Sequence, residues 1–240
     1  MMQTNRTLAR SASTDAAGYE SLPALMSLMT GDEKHSSSAT STLDVLWVLY
    51  DRVLRVDPGS PAADDRDRFL LSKGHGPMAF YAVLAAKGFV DPRSLRTFAR
   101  YNSPFGLHPD RNLIPGVEIS SGSLGHGLPL ALGVALGLKA RGNTTPRVFC
   151  LVGDAELDEG TNHEAIAAAG RFGLEALTAV VVDNQSASLG WPGGIAARFA
   201  VEGWSTRTVD GRDHDAIETA LKIPHRGIPH VVVAVVEPKS

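Results

Sequence analysis

The spacing of apolar positions changes along the chain in a regular way. From Arg147 onward, short runs without polar interruption ("RVFCLVGD", "ALTAVVVDN", "HVVVAVVE") alternate with small-residue or amphipathic stretches. These predict strands, with helices over residues 158–172, 195–201 and 213–222, and "STRTV" as a further strand. Strands that are apolar at every position, rather than at every second one, must be covered on both faces. The expected class is therefore α/β, a parallel sheet with helices on both faces. Upstream, "STLDVLWVLYDRVLRV" predicts a buried helix over 41–56, opened by Ser41 in an S-x-x-D cap pattern. A Pro, Gly and Asp-rich loop and the short run "RFLLS" follow it. "GPMAFYAVLAAKG" has Pro at its start and Gly at its end, and "DPRSLRTFAR" begins on an Asp-Pro start signal. In "GSLGHGLPLALGVALGLKA", Gly125, Gly127, Gly133 and Gly137 are expected to let a helix pack closely. Neither an internal repeat nor an interdomain linker interrupts the pattern. Residues 1–20 read as a loose tail without the apolar centre of a signal peptide, and 21–240 as one domain.

Composition narrows the classes. The 240 residues are 43% hydrophobic and 20% charged with a net charge of -3, and they contain no block of Lys and Arg. Nothing there forms an electrostatic footprint for nucleic acid or an anionic membrane, so neither partner is expected. The longest apolar stretch is short and broken by glycines, so no membrane span is expected. Cys150 is the single cysteine and sits inside "VFCLV", which predicts a buried reduced thiol in the cytoplasm.

The candidate chemistry lies at two strand ends. Asp154 follows "VFCLVG" and Asn184 follows "AVVVD", thirty residues on. Ligands of open parallel sheets bind beyond the carboxyl ends of the strands. An Asp and an Asn converging there, with the Gly153 turn allowing close backbone approach, are hard oxygen donors suited to Mg²⁺. Taken singly, Asp154 also reads as a helix cap and Asn184 as a turn residue.

Here the residues resemble a known pattern. "GDAELDEGTNHEA…VVVDNQS" is similar to the thiamine-diphosphate fingerprint, and more closely to the version found in transketolases. "HSSSATSTLDVLWVLYDRVLRVDP", "LSKGHG", "GLHPD" and "GVEISSGSLGHGLPLALGVALGLKA" stand in the order of the transketolase cofactor-binding region. The resemblance implies that Asp154, Asn184 and the Ser186 backbone carbonyl hold Mg²⁺ and anchor the diphosphate. It implies that Gly153 and Ala155 meet the diphosphate, with Ala155 in place of the second fingerprint glycine and contact retained unless the position needs positive φ. Gly122, Ser123 and Leu124 match the segment that holds the aminopyrimidine, and His126 stands where full-length transketolases usually have Gln. His35, His75 and His108 match histidines that crowd the cofactor and bind ketose or aldehyde oxygens. Imidazole suits that work because it exchanges a proton near neutral pH. Glu159 and Glu164 match acids at the interface beneath the cofactor. His163, His214, His225 and His230 read as solvated surface groups.

The family draws the glutamate that activates the cofactor from a second α/β domain, for which 240 residues leave no room. The resemblance thus implies the N-terminal subunit of a two-chain transketolase, working with a pyrimidine-binding chain, two copies of each. The chain ends at "VVVAVVEPKS" without the family's further substrate loop; with Ala155 and the "DEKHSSS" context of His35, this points to a specialised ketol transfer. Other readings are the equivalent subunit of a 2-oxoacid dehydrogenase or a deoxyxylulose-phosphate synthase, or a non-catalytic scaffold. "LSKGH" and "GLHPD" favour transketolase.

Overall fold

A computed structural model describes residues 17–32 and 35–238. Among the described residues, β1 (Arg68–Leu71), β2 (Val148–Gly153), β3 (Leu177–Asp183), β4 (Ser205–Asp210) and β5 (His230–Val235) form one sheet in the order β1-β2-β3-β5-β4. Every pairing is parallel, with Leu71 opposite Leu151 and Gly153 opposite Val182. The helices that cover it are α1 (Leu22–Met26), α2 (Ser36–Val48), α3 (Met78–Ala86), α4 (Gly127–Ala140), α5 (Gly160–Phe172), α6 (Ile195–Val201) and α7 (His214–Leu221).

Strand alternation divides the core in two. Phe149, Leu151, Val180 and Val182 point to one face and pack with residues of α1, α2, α3 and α7, such as Leu46, Phe80 and Ile217. Cys150, Val152, Ala179 and Val181 point to the other and pack with α4, α5 and α6 through Ala131, Ile166 and Phe199. The expected two-faced parallel sheet is therefore present. β4 departs from the apolar pattern because it is an edge strand with exposed positions. Burial pushes the Cys150 thiol pKa up, as expected for an inert core cysteine. Among the described residues no helix is long and apolar enough to cross a membrane.

Several boundaries differ from the sequence expectation. The helix expected over 41–56 starts five residues earlier, at Ser36, and closes in a π turn over Leu49–Val53. Ser41 is consequently interior, its hydroxyl donating to the Ser38 carbonyl, because tertiary burial of the helix outweighs the cap pattern. The helix expected from 158 is split: a 3-10 turn over Asp154–Asp158 precedes α5. "DPRSLRTFAR" forms a 3-10 turn over Pro92–Thr97, capped by the Asp91 side chain on the Arg93 N–H. Within the segment expected as a tail, Tyr19 donates to Asp44 at 2.7 Å and sits edge-on to His214; residues 1–16 lie outside the described residues. Within α4, Gly133 and Gly137 have nothing within 4 Å of where a Cβ would stand, so close packing inside this chain does not explain them.

The four histidines expected in solvent also differ. His230 is fully buried, with ring nitrogens 3.1 Å from the Ser205 and Ala220 carbonyls, and burial lowers its pKa. His214 bonds Asp44 at 2.8 Å, His163 stacks on Trp191 and His225 on His230. Each has a neighbour supplied by another segment of the fold, which local sequence cannot show.

At the amino end of the sheet, buried Asp67 accepts from Arg55 and Arg147 side chains and from both their backbone N–H groups. Burial pushes its pKa up, and these hydrogen bonds more than offset it, leaving the carboxyl below its usual range. A carboxylate with a depressed folded pKa adds stability above its unfolded pKa and loses it as pH falls through the folded value. Asp67→Asn is expected to cost roughly 1–3 kcal/mol at neutral pH in urea unfolding. The deficit should vanish at pH values where wild-type Asp67 is protonated.

Candidate active site at the strand ends

The carboxyl ends of β1 and β2 meet the α4 entry loop in one place, and Glu156 ties them together. Its carboxylate is almost fully buried and accepts from Ser72 Oγ at 2.7 Å, Gly153 N–H at 2.9 Å and Gly125 N–H at 3.2 Å. Ser72, just past β1, accepts in turn from the Gly127 N–H at 3.0 Å. Approach is close enough that a Cβ on Gly127 would stand 2.2 Å from the Ser72 Cβ. Gly125 holds φ +78°, and a Cβ there would meet the Glu159 Cβ at 2.6 Å, so glycine is required on both counts. Burial raises the Glu156 pKa, against the lowering effect of the Gly153, Ser72 and Gly125 hydrogen bonds.

Asp154 begins the 3-10 turn at the end of β2 and is 1% exposed. Its Oδ2 accepts from Ser186 N–H at 2.6 Å and Ala187 N–H at 3.0 Å, and its Oδ1 accepts from Ser186 Oγ at 2.7 Å. Asp158 holds the next residues, accepting from Ser188 N–H and Oγ and from Leu189 N–H. The loop after β3 is thus clamped onto the turn after β2 by two carboxylates, and Gln185 adopts the left-handed φ of 56° that the tight bend demands. Asn184 is 3% exposed, and its Oδ1 is buried without a hydrogen-bond partner. A buried amide oxygen is normally satisfied, so an acceptor left open next to the Asp154 clamp fits a cation that is coordinated by oxygen. Asp154 Oδ1 keeps acceptor capacity too, since a carboxylate offers about four lone-pair sites and three are used. Ala155 is outside the positive-φ region, so its Cβ is unstrained and its N–H lies in the first turn, where helix amides lack an internal acceptor. The expected condition for retained contact is met.

The three predicted histidines come from three separate segments and form a row. The His35 and His75 ring centroids are 5.0 Å apart and those of His75 and His108 are 5.5 Å apart. His108 lies over Gly122 and Gly74, whose Cβ positions would be 3.2 and 3.0 Å from its ring, and its Nε2 is buried without a partner. Gly122 turns the chain at φ +131°. Ser123 and Leu124 are exposed beyond it, as are His126, Glu159 and Glu164. All five are exposed in this chain.

Sequence reasoning missed Glu156, Ser72, Asp158 and Lys73. Lys73 Nζ donates to the Ser38 carbonyl at 2.9 Å and Ser41 Oγ at 3.1 Å, tying the end of β1 to the start of α2. Placing Glu156 two residues after Asp154 in a turn would have suggested that the two point to different sides. No local signal marks Ser72, whose role exists only because β1 neighbours β2. Glu156→Gln would present an NH₂ to a backbone or hydroxyl donor, with an expected loss of roughly 1–3 kcal/mol in urea unfolding. Unchanged stability would remove Glu156 from this central position.

The family description "Transketolase, thiamine diphosphate binding domain" matches residues 22–231. A Rhodococcoides fascians protein named ferredoxin fas2 is 60% identical over 222 residues, which cover 92% of this chain and 73% of that protein. The single buried Cys150 means that these 240 residues hold no four-thiolate site for an iron–sulfur cluster. An apulose-4-phosphate transketolase subunit of Actinobacillus succinogenes is 33% identical over 207 residues, 83% of this chain and 75% of that relative. The solved transketolase of Leishmania mexicana matches with a TM-score of 0.72 at 25% identity, over 86% of this chain and 37% of that longer one. With the fold and these relatives in agreement, the chain belongs to the transketolase family as its thiamine-diphosphate-binding, N-terminal type of subunit.

Proposed function

We propose that this chain binds thiamine diphosphate with Mg²⁺ and serves as one subunit of a two-chain transketolase that moves a two-carbon ketol unit from a ketose to an aldehyde. The observation that carries the proposal is the open, buried Asn184 Oδ1 beside the Asp154 clamp at the ends of adjacent strands. Asp154, Asn184 and the Ser186 carbonyl would hold the metal, an all-oxygen set suited to a hard cation that also takes phosphate oxygens. Gly153 and Ala155 would meet the diphosphate, and Gly122, Ser123 and Leu124 the aminopyrimidine. When bound, the cofactor supplies the electron sink for cleaving and forming the carbon–carbon bond.

The protein's own share is orientation and proton handling. His35, His75 and His108 supply imidazole nitrogens, a group suited to binding sugar oxygens and to general acid–base work. The buried, partnerless Nε2 of His108 is a ready site for such an oxygen. The exposed Glu159 and Glu164 are the groups we assign to contact with a pyrimidine-binding partner chain that brings the activating glutamate. We assign two copies of each chain to the assembly and the cytoplasm as its compartment.

The test is reconstitution. The tagged chain, with thiamine diphosphate and Mg²⁺ present, is expected to co-purify with a stoichiometric chain containing a second α/β domain, and the pair to transfer ketol units. Asp154→Ala in that pair should weaken metal-dependent cofactor binding more than roughly tenfold, about 1.4 kcal/mol, and abolish turnover. A non-catalytic scaffold would tolerate the change, and unaltered calorimetric binding by the variant would reject the assignment.

A further inference from the structure

Asp32 stands four residues before α2 and is 3% exposed. Its Oδ1 lies 2.6 Å from His35 Nδ1, while its Oδ2 is buried with no hydrogen-bond partner among the described residues. An ionised carboxylate can only accept, so the short contact requires the hydrogen on His35 Nδ1. In the neutral ring the other nitrogen, Nε2, must then carry the lone pair. The His35 side chain is 28% exposed and so remains reachable, and its ring begins the row that continues through His75 and His108.

We propose that Asp32 is a positioning residue that fixes the Nδ1–H tautomer of His35, so that Nε2 is presented at the histidine row as an acceptor for a hydroxyl group of the substrate. A buried carboxylate holding the far side of an imidazole sets its tautomer and orientation and favours its charged form if it takes up a proton. A ring locked in this way selects a hydroxyl and offers nothing to a carbonyl oxygen until it is protonated. The tautomer follows from the Asp32–His35 contact with Asp32 ionised; only the nature of the group that meets Nε2 rests on the proposed transketolase reading.

The first experiment records long-range ¹H–¹⁵N correlations of the full chain with ¹⁵N-labelled histidine, at a pH where the imidazoles are neutral. The His35 signals are identified by their loss in His35→Gln. Nδ1 is expected to be protonated and Nε2 bare, with reversal toward Nε2–H in Asp32→Ala. Nε2–H in the wild-type chain would overturn the proposal whether or not the variant folds. A second experiment uses the reconstituted pair: Asp32→Asn should lower kcat about tenfold with little change in KM. Combined with His35→Gln it should cost no more than His35→Gln alone, since the two act as a unit. Additive losses would break the link between the residues. Failure of the pair to bind cofactor at all, with the tautomer as expected, would count against the transketolase reading and leave the tautomer assignment standing.

Discussion

The site depends on one buried carboxylate. Glu156 gathers a donor from the end of β2 three residues away, one from the loop that enters α4, 31 positions away, and one from the end of β1, 84 positions away. Each donor would otherwise be buried and unsatisfied, so the carboxylate keeps its place despite the burial cost that raises its pKa. Because it bonds Gly153 and Gly125 together, the Asp154 turn and the Gly122–Gly127 loop are fixed relative to each other. The ends of β1 and β2 and the α4 entry loop are thereby held together by the chain's own hydrogen bonds.

The loop after β3 is held to the Asp154 turn separately. Its backbone amides point at Asp154 and Asp158, which hold the run from Ser186 to Leu189 through amide and hydroxyl hydrogen bonds. This clamp leaves the Asn184 oxygen buried and open, a costly arrangement unless a cation completes it. At the opposite end of the sheet, Asp67 performs a comparable task with Arg55 and Arg147, where the charges are paired within the chain. The contrast separates a structural cluster from a candidate functional one: both are built on buried acids, and of the two only the strand-end cluster keeps unsatisfied acceptors.

The histidine row adds a second set of polar groups. Its three rings arrive from the loop before α2, the turn after β1 and the segment before α4, held at 5.0 and 5.5 Å spacing. Gly74 and Gly122 allow the His108 ring to lie against backbone, where any Cβ would crowd it. Asp32 brings a carboxylate to this row, and it does so at the ring nitrogen opposite the free one.

By itself the sequence determined the α/β class, the strand ends that bear Asp154 and Asn184, the three histidines and the family. Continuous apolar runs are local and fix the class and the strand ends through their periodicity, whereas the histidines and the family came from motifs that resemble those of transketolases. It misplaced the start of α2, split no helix at Asp158, put His230 in solvent and passed over Glu156, Ser72 and Asp32. Those features depend on which segments become neighbours. Ser72 meets Glu156 because β1 pairs with β2, and His230 is buried because α7 and β4 close over it. Only the tertiary structure decided them, since hydrogen-bond satisfaction and burial are properties of contacts between distant segments and leave no periodic trace in the chain.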